Sequence, residues 1–259
     1  MSEFIAIAVF VFGTIVGSFL NVVSLRYNTG LSIRKGRSKC FSCGYALAWL
    51  DLIPILSFLF LGGRCRKCQS KISLQYPLVE CATGLLFVFT FLVESNPPLL
   101  LILWIAFSLL VVIFVYDLKH KIIPDALVYA FDALGLIFLV YGVYRAQGHM
   151  PSAHELLAGV YLALPFALLW VVSKGRWIGL GDAKLALGMG WFLGLASGFT
   201  AIVLSFWIGA VVSVGILLVS KILGQHKFSM KSEIPFAPFM IISFLIVYFF
   251  TFTIFPIPF

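Results

Sequence analysis

Apolar runs long enough to cross a lipid bilayer recur along the whole chain and constrain its fold more than any other feature. A helix needs about 20 mostly apolar residues to span the hydrocarbon core. Candidate runs lie near residues 4–25, 77–94, 99–116, 126–144, 155–173, 183–197, 199–220 and 237–258. The sequence therefore predicts an all-α, polytopic membrane protein with about eight transmembrane helices, the first of them retained rather than cleaved as a signal peptide.

Composition favours the same class of protein. Of the 259 residues, 62% are hydrophobic and only 11% are charged, whereas a soluble domain has about 25% charged residues. A net charge of +8 is also found in nucleic-acid-binding proteins, but these place their basic residues in one patch or stripe. Here the basic residues lie in short loops between apolar runs. We therefore expect a lipid bilayer, and no nucleic acid, among the partners.

The loops alternate in basic charge, which indicates how the chain is oriented. Lys and Arg are concentrated after the first, third, fifth and seventh runs, and the other loops carry almost none. The basic residues are Arg26, Arg34, Lys35, Arg37, Lys39, Arg64, Arg66, Lys67 and Lys71, then Lys119 and Lys121, then Lys174 and Arg176, then Lys221, Lys227 and Lys231. Because cytoplasmic loops are enriched in Lys and Arg, we expect these loops inside and both termini outside.

Two Cys-x-x-Cys pairs lie in the long first loop. They are Cys40-Phe-Ser-Cys43 and Cys65-Arg-Lys-Cys68, and four thiolates in two such pairs are typical of a tetrahedral structural zinc site. Two disulfides or free thiols are the alternative, which a reducing cytoplasm disfavours. We predict a zinc ion that holds the loop together. Cys81 lies in an apolar run and is predicted to be a small core residue.

Two carboxylates are predicted to reach the same face of the membrane. Asp117 ends the third run and Asp182 opens the sixth, so the predicted topology places both at the cytoplasmic border. Two close carboxylates can share one proton, so that one activates water and the other polarises a carbonyl group. Gly179 and Gly181 would let the backbone approach a substrate strand. The alternative is that both acids only occupy helix ends, where Asp182 would serve as a cap.

Three other acids leave both a structural and a functional interpretation open. Asp125 follows Pro124 and is predicted to cap the fourth helix. Asp132 lies about two turns deeper on the same helix, and Glu80 lies one turn into the second run. An acid inside a span is a functional candidate, but each of these two could also bond only to a neighbouring group.

At this point the residues resemble a known family, the type IV prepilin peptidases. Gly179-Leu180-Gly181-Asp182 with Lys184 resembles the G-x-G-D-x-K signature of intramembrane aspartyl peptidases, and Asp117 with Pro124-Asp125 resembles the partner motif. Further similarities cover nearly the whole chain in the order of the family, at Gly17-Ser18-Phe19-Leu20-Asn21, Asp51-Leu52-Ile53-Pro54, Gly63-Arg64-Cys65, Tyr76-Pro77-Leu78-Val79-Glu80 and Ile234-Pro235-Phe236-Ala237-Pro238. One departure is Gln75, where the family pattern has Arg.

The resemblance implies an enzyme of the bacterial plasma membrane with two activities. It would remove the basic leader from type IV prepilins and type II secretion pseudopilins after a glycine, with Asp117 and Asp182 as catalytic residues and Gly179, Gly181 and Lys184 in support. It would then methylate the new N-terminus with S-adenosylmethionine. Residues 1–98 would form the methyltransferase half and residues 99–259 the peptidase region. No glycine-rich loop marks a site for the methyl donor.

Two other classes of protein compete with this interpretation. A transporter or proton channel would use Asp117, Asp132 and Asp182 as a relay, but acids would then be spread across the membrane depth. Here the outer halves of the runs have almost none. A zinc-bearing scaffold would explain the first loop and leave the two aspartates at one face unexplained. The peptidase accounts for both features.

Overall fold

The computed structural model describes residues 2–30, 32–33, 35–222, 234–251 and 253. Arg34, Lys227, Lys231 and the last part of the run predicted over 237–258 lie outside these ranges. Within them the regular elements are helices, accompanied by isolated β-bridges at Lys39–Ala46 and Arg64–Lys71. The helices are α1 Ser2–Arg26, a 3₁₀ helix Trp49–Leu52, α2 Leu56–Phe60, α3 Gln75–Val93, α4 Pro97–His120, α5 Asp125–Gln147, α6 Ala153–Ser173, α7 Leu180–Ile222 and α8 Ala237–Phe250.

Six of the described helices are long and apolar enough to cross a membrane, namely α1, α3, α4, α5, α6 and α7. This confirms the prediction of an all-α, polytopic membrane protein. The predicted number of eight spans is only loosely matched. The described part of α8 has 14 residues, and the runs predicted over 183–197 and 199–220 both fall in α7.

Helix α7 has 43 residues and is interrupted at Gly194, where φ is 74° and ψ is 176°. A straight helix of that length would be about 65 Å long, twice the thickness of the hydrocarbon core. A Cβ added to Gly198 would lie only 3.7 Å from the Cα of Gly190, so the chain reverses between them. The predicted break at Ser197-Gly198 was therefore misplaced. Gly194 forms the turn because glycine alone readily adopts this backbone conformation.

The chain divides into two compact units, residues 1–112 and 113–259. In the first unit α1 packs closely on α3 through small residues. A Cβ on Gly13 would lie 2.8 Å from the Cα of Gly84, and one on Gly17 would lie 2.8 Å from the Cα of Glu80. This is the small-residue packing expected of helices in lipid. Gln75, the departure from the family pattern, donates from its amide to the buried Asn21 at 3.4 Å.

In the second unit α5, α6 and α8 pack against α7. Gly190 in α7 meets the backbone of Gly159 in α6, where an added Cβ would lie 2.5 Å from the Cα. Phe131 of α5, Phe192 of α7 and Phe244 of α8 form an aromatic cluster with ring centroids 5.0–6.0 Å apart. This packing holds the first half of α7, which begins with one of the predicted catalytic aspartates.

Candidate active site

Asp117 lies in the last turn of α4, and its side chain is buried, with 4% of the residue exposed. The backbone N–H of Ala237, the first residue of α8, faces its carboxylate. A backbone donor at this position stabilises a carboxylate that a helix C-terminus by itself disfavours. The predicted site residue is therefore held inside the second unit and not on its surface.

Asp182 lies in the first turn of α7 and is 8% exposed. Its Oδ2 accepts the backbone N–H of Gly179 at 3.2 Å. Gly181 packs directly against Ile123. A Cβ added to Gly181 would lie only 2.8 Å from the Cβ of Ile123, which is too close. A larger residue at position 181 would push apart the segment before α5 and the start of α7. Of the two glycines, Gly181 thus allows a close approach, and Gly179 binds the carboxylate of Asp182.

The fold brings Asp117 and Asp182 together. They come from different helices, yet their carboxyl groups are close enough to interact electrostatically. Two buried acids within interaction distance destabilise a fold unless they share a proton, and such pairs are concentrated at functional sites. The two predicted site residues therefore interact within one unit. Their roles in catalysis stay a prediction.

Lys184 ties α7 to α5 beside this pair. Its Nζ lies 2.7 Å from the Oδ1 of Asp125 and 4.7 Å from the centroid of the Tyr129 ring. Asp125 was predicted to cap α5, but Pro124 occupies the N-cap position and makes no side-chain cap. The Asp125 carboxylate instead pairs with Lys184. This ion pair connects the residues after the Asp117 helix with the helix that carries Asp182.

Asp132 does not bond to Asp125, but the charge of Lys184 acts on its carboxyl group. It is 5% exposed, and the backbone N–H of Gly188 faces the carboxyl group without forming a close hydrogen bond. The Oδ1 of Asp132 lies against Gly188, and a Cβ added to Gly188 would be only 2.5 Å from that oxygen. A buried acid that makes no close hydrogen bond costs stability. Asp132 therefore does not contribute to the fold in the way that Asp125 does.

We predict that Asp132→Asn and Asp132→Leu both leave leader cleavage within about threefold of the parent rate. Asp132→Leu should also leave the thermal unfolding midpoint unchanged or raise it, because replacing a buried polar group that makes no close hydrogen bond by an apolar one is nearly neutral or stabilising. The measurements are a peptide cleavage assay and thermal unfolding in detergent. Loss of cleavage in the Asn variant, with an unchanged midpoint, would instead give Asp132 a role in the reaction.

The four predicted zinc ligands form one cluster in the first unit. The sulfur atoms of Cys40, Cys43, Cys65 and Cys68 all lie within 4.8 Å of one another, and none is in a disulfide. The Cys40 and Cys68 sulfurs are 3.8 Å apart, which is about the separation that Zn–S bonds of ~2.3 Å require in a tetrahedron. The cluster therefore fits a zinc ion, and the disulfide alternative does not match it.

The backbone around each cysteine pair has the same form. Gly44 donates to Cys40 O at 2.9 Å and Gln69 donates to Cys65 O at 3.0 Å. The pKa of the Cys40 thiol is lowered to about 6, most strongly by the backbone N–H of Cys43 and next by the hydroxyl of Ser70. The Ser70 hydroxyl also lies 3.1 Å from the Cys68 sulfur and lowers the pKa of that thiol. Thiolates favoured in this way are the form that binds metal. The pKa of the Cys43 thiol is instead raised to about 11: the backbone N–H of Tyr45 lowers it, but burial and the neighbouring sulfurs outweigh that contact.

Two carboxylates, Asp51 and Glu80, make contacts with the first loop that were not predicted from the sequence. Asp51 accepts hydrogen bonds from Ala48 N–H at 3.0 Å and from Arg66 Nε at 2.8 Å, and Glu80 accepts one from Ile55 N–H at 2.7 Å. Asp51 is the only acid in the first loop, which is a signal that it pairs with a basic residue. No comparable signal links Glu80 to Ile55.

Comparison with known proteins matches two family models. Residues 11–93 match the bacterial peptidase A24 N-terminal domain, and residues 104–214 match the type IV leader peptidase family. Proteins named "Prepilin leader peptidase/N-methyltransferase" are similar over most of the chain. The Myxococcus xanthus protein is 35% identical over 238 residues, which cover 88% of this chain and 68% of the relative. The Klebsiella pneumoniae protein is 36% identical, covering 71% and 83%.

A protein of the same name from Bacillus subtilis is 32% identical over 235 residues and covers 88% of both chains. No solved structure matches. The similar relatives and the two family models together span both the cysteine loop of the first unit and the aspartate pair of the second. The chain therefore belongs to the type IV leader peptidase family and carries the bacterial N-terminal domain of that family.

Proposed function

We propose that Asp117 and Asp182 are the catalytic pair with which this integral membrane enzyme removes the leader from type IV prepilins and type II secretion pseudopilins after a glycine. Membership of the family supports prepilin leader cleavage followed by N-methylation as the function of the chain. The observation that carries the assignment of residues is the pairing of two buried carboxyl groups from different helices.

The pair can hydrolyse a peptide bond when it holds one proton. The ionised carboxylate takes a proton from a water molecule as the water oxygen attacks the carbonyl carbon, and the protonated carboxyl group donates to the carbonyl oxygen. The proton taken from water then goes to the leaving nitrogen as the carbon–nitrogen bond breaks, and the carboxylate that had donated its proton to the carbonyl oxygen takes that proton back as the C=O bond reforms. Water thus supplies both new groups, and the pair returns to its starting state.

The neighbouring contacts support these roles by holding the carboxyl groups in place. The N–H groups of Ala237 and Gly179 each bind one member of the pair, and the Lys184–Asp125 ion pair ties α7 to α5. A catalytic group must be positioned closely, because a displacement of about 1 Å can cost about 10²-fold in rate. We therefore assign Gly179, Gly181 and Lys184 to positioning Asp182.

The distribution of basic loops supports a location for the site. We propose that Asp117 and Asp182 lie at the cytoplasmic face of the bacterial plasma membrane, with both termini outside; the support is that Lys and Arg residues follow the first, third, fifth and seventh predicted runs. A prepilin has a basic leader followed by an apolar segment, as the family resemblance implies. Such a substrate would present its cleavage site at that border of the bilayer.

For methylation we propose the N-terminal region, residues 1–98, and for cleavage residues 99–259. The support is that the aspartate pair lies in the second compact unit, whereas the family's N-terminal domain matches residues 11–93. S-adenosylmethionine would supply the methyl group. The contacts described in the first unit do not single out residues that would hold S-adenosylmethionine, so we assign no binding residues to it. Cys40, Cys43, Cys65 and Cys68 would hold a structural Zn²⁺.

The test is to incubate the purified protein with a synthetic prepilin and S-adenosylmethionine and to measure the mass of the product. We expect loss of the leader and a gain of about 14 Da, one methyl group in place of one hydrogen, at the new N-terminus. Omitting S-adenosylmethionine should abolish the mass gain and leave cleavage intact. An uncleaved substrate would contradict the proposed peptidase, and a cleaved but unmethylated product would contradict the proposed methyltransferase alone.

A further inference from the structure

The first loop contains a strained turn at Ile55. Its backbone has φ 60° and ψ −52°, and the N–H of Leu56 donates to the carbonyl of Pro54 at 2.5 Å. These are the features of the rare, strained form of the three-residue γ-turn. A β-branched residue with a positive φ is an outlier among proteins. Such strain persists only where the surrounding structure holds it, and it is concentrated at functional sites.

Glu80 holds this turn from the membrane-spanning helix α3. Its Oε2 accepts the N–H of Ile55 at 2.7 Å, and the residue is only 7% exposed. The hydroxyl of Ser18 on α1 interacts with the same carboxylate. Gly17 leaves α1 in close contact with the Glu80 backbone. The carboxylate is thus fixed by the packed pair of helices and presents a rigid acceptor to the loop.

A second buried carboxylate holds the other end of the same stretch of chain. Asp51, whose side chain is 2% exposed, accepts from Ala48 N–H at 3.0 Å and from Arg66 Nε at 2.8 Å. Arg66 lies between two of the cysteines of the metal cluster. We call residues Ala48–Phe60 the clamped segment, because Asp51 links it to the metal loop and Glu80 links it to α1 and α3.

The clamped segment has almost no core of its own. Neither its 3₁₀ helix nor α2 contains a buried residue, and Trp49, Leu59 and Phe60 are 74%, 65% and 86% exposed. Packing therefore holds it less firmly than it would hold a fully buried segment. Its place depends on the two carboxylate clamps, and of these only Glu80 connects it to the spanning helices.

We propose that Glu80 is a positioning residue for methyl transfer, which it supports by fixing the clamped segment against the ends of α1 and α3. This rests on the proposed function, in which the N-terminal region carries the methyltransferase. Methyl transfer requires the amine and the methyl donor in line at close range, and a misplacement of about 1 Å can cost about 10²-fold. Cleavage uses Asp117 and Asp182 of the other unit and should not depend on this clamp.

The experiment compares three variants at two positions with the parent enzyme. Glu80→Gln keeps an oxygen that can accept the Ile55 N–H, whereas Glu80→Leu removes it. In Glu80→Leu/Ile55→Gly the turn no longer needs to be held, because glycine adopts a positive φ without strain. Thr83→Val, an isosteric change one turn along α3 whose hydroxyl bonds within its own helix, is the matched control.

Each protein is tested with a prepilin for cleavage and with a synthetic, already cleaved pilin segment plus S-adenosylmethionine for methylation. We expect Glu80→Leu to lower the methylation kcat at least about tenfold and to leave cleavage within about threefold. Glu80→Gln and Thr83→Val should resemble the parent in both, and the double variant should recover part of the lost methylation. Hydrogen exchange at the Ile55 amide should be faster in Glu80→Leu, with the bound zinc unchanged.

Three results would overturn the proposal. Parent-like methylation in Glu80→Leu would remove the role of Glu80, and equal loss of cleavage and methylation together with loss of zinc would make the residue a general requirement for folding. If the parent cleaves but does not methylate, the proposed methyltransferase itself fails. The exchange rate of Ile55 would then still show whether the clamp exists, and its role would be structural only.

Discussion

Replacing either Asp117 or Asp182 by Asn is expected to lower the rate of prepilin cleavage by at least about 10³-fold while the protein stays inserted and folded. Asn preserves the shape of the side chain and can still accept the N–H of Ala237 or Gly179. It cannot take up or release the proton that the reaction transfers, and general acid–base catalysis contributes about 10²–10⁴-fold. The measurement is the single-turnover rate on a synthetic prepilin, with the thermal unfolding midpoint as the check on folding.

The double variant gives a sharper test of whether the two residues act as one unit. Groups that act together are strongly non-additive, so Asp117→Asn/Asp182→Asn should be about as slow as either single variant. Asp132→Asn is the matched control, since it is the same change at a buried acid of the same unit. Losses that add in the double variant would mean that the residues act separately. Substantial turnover in a single variant would remove that residue from the catalytic pair.

The second large effect is expected at the metal cluster. We predict about one zinc ion per chain and its loss when Cys40, Cys43, Cys65 or Cys68 is changed to Ser. Four protein thiolates leave no open coordination position, so the metal would stabilise the loop and not take part in the chemistry. Binding of a structural zinc is worth about 10–16 kcal/mol in zinc-finger peptides. Without it, the loop around the cysteines should become sensitive to protease.

Elemental analysis of protein purified without chelator measures the zinc, and limited proteolysis measures the order of the loop. Cys81→Ser is the control, because Cys81 lies in α3 and outside the cluster. Metal content and proteolysis should be unchanged in that variant. Protein that contains no metal, or whose intact mass shows two disulfides, would contradict the zinc site. Methylation should fall with the loss of zinc, because Arg66 connects the metal loop to the clamped segment.

The family and the class of fold could be predicted from the sequence because both depend on local patterns. An apolar run of about 20 residues specifies a spanning helix by its length and composition, and the pairs Cys40–Cys43 and Cys65–Cys68 specify ligands by their spacing. The motifs around Asp117 and Asp182 carried the resemblance. Their placement at one face followed from counting spans and basic loops, without knowledge of any contact.

The turn within α7 could not be placed from the sequence. Gly194 and Gly198 are both glycines in one apolar run, and the predicted break fell near the second. Only packing distinguishes them: Gly198 faces Leu162 of α6 within a helix, whereas Gly194 adopts the positive φ of the turn. The role of the pattern Gly13-x-x-x-Gly17 could not be predicted from the sequence either. It depends on the partner helix α3, which brings Gly84 and Glu80 against these glycines.

The sequence by itself determined the membrane class and the four cysteines of the cluster, because these are encoded in apolar length and in spacing, and it singled out the two aspartates as candidates by their motifs and their predicted depth. Tertiary structure alone decided which acids have partners. Asp125 pairs with Lys184 and Glu80 holds Ile55, whereas Asp132 makes no close hydrogen bond among the described residues and only faces the N–H of Gly188. From the sequence, each of these three acids left a structural and a functional role open. They differ because a hydrogen bond depends on groups brought within about 3 Å by packing between distant segments.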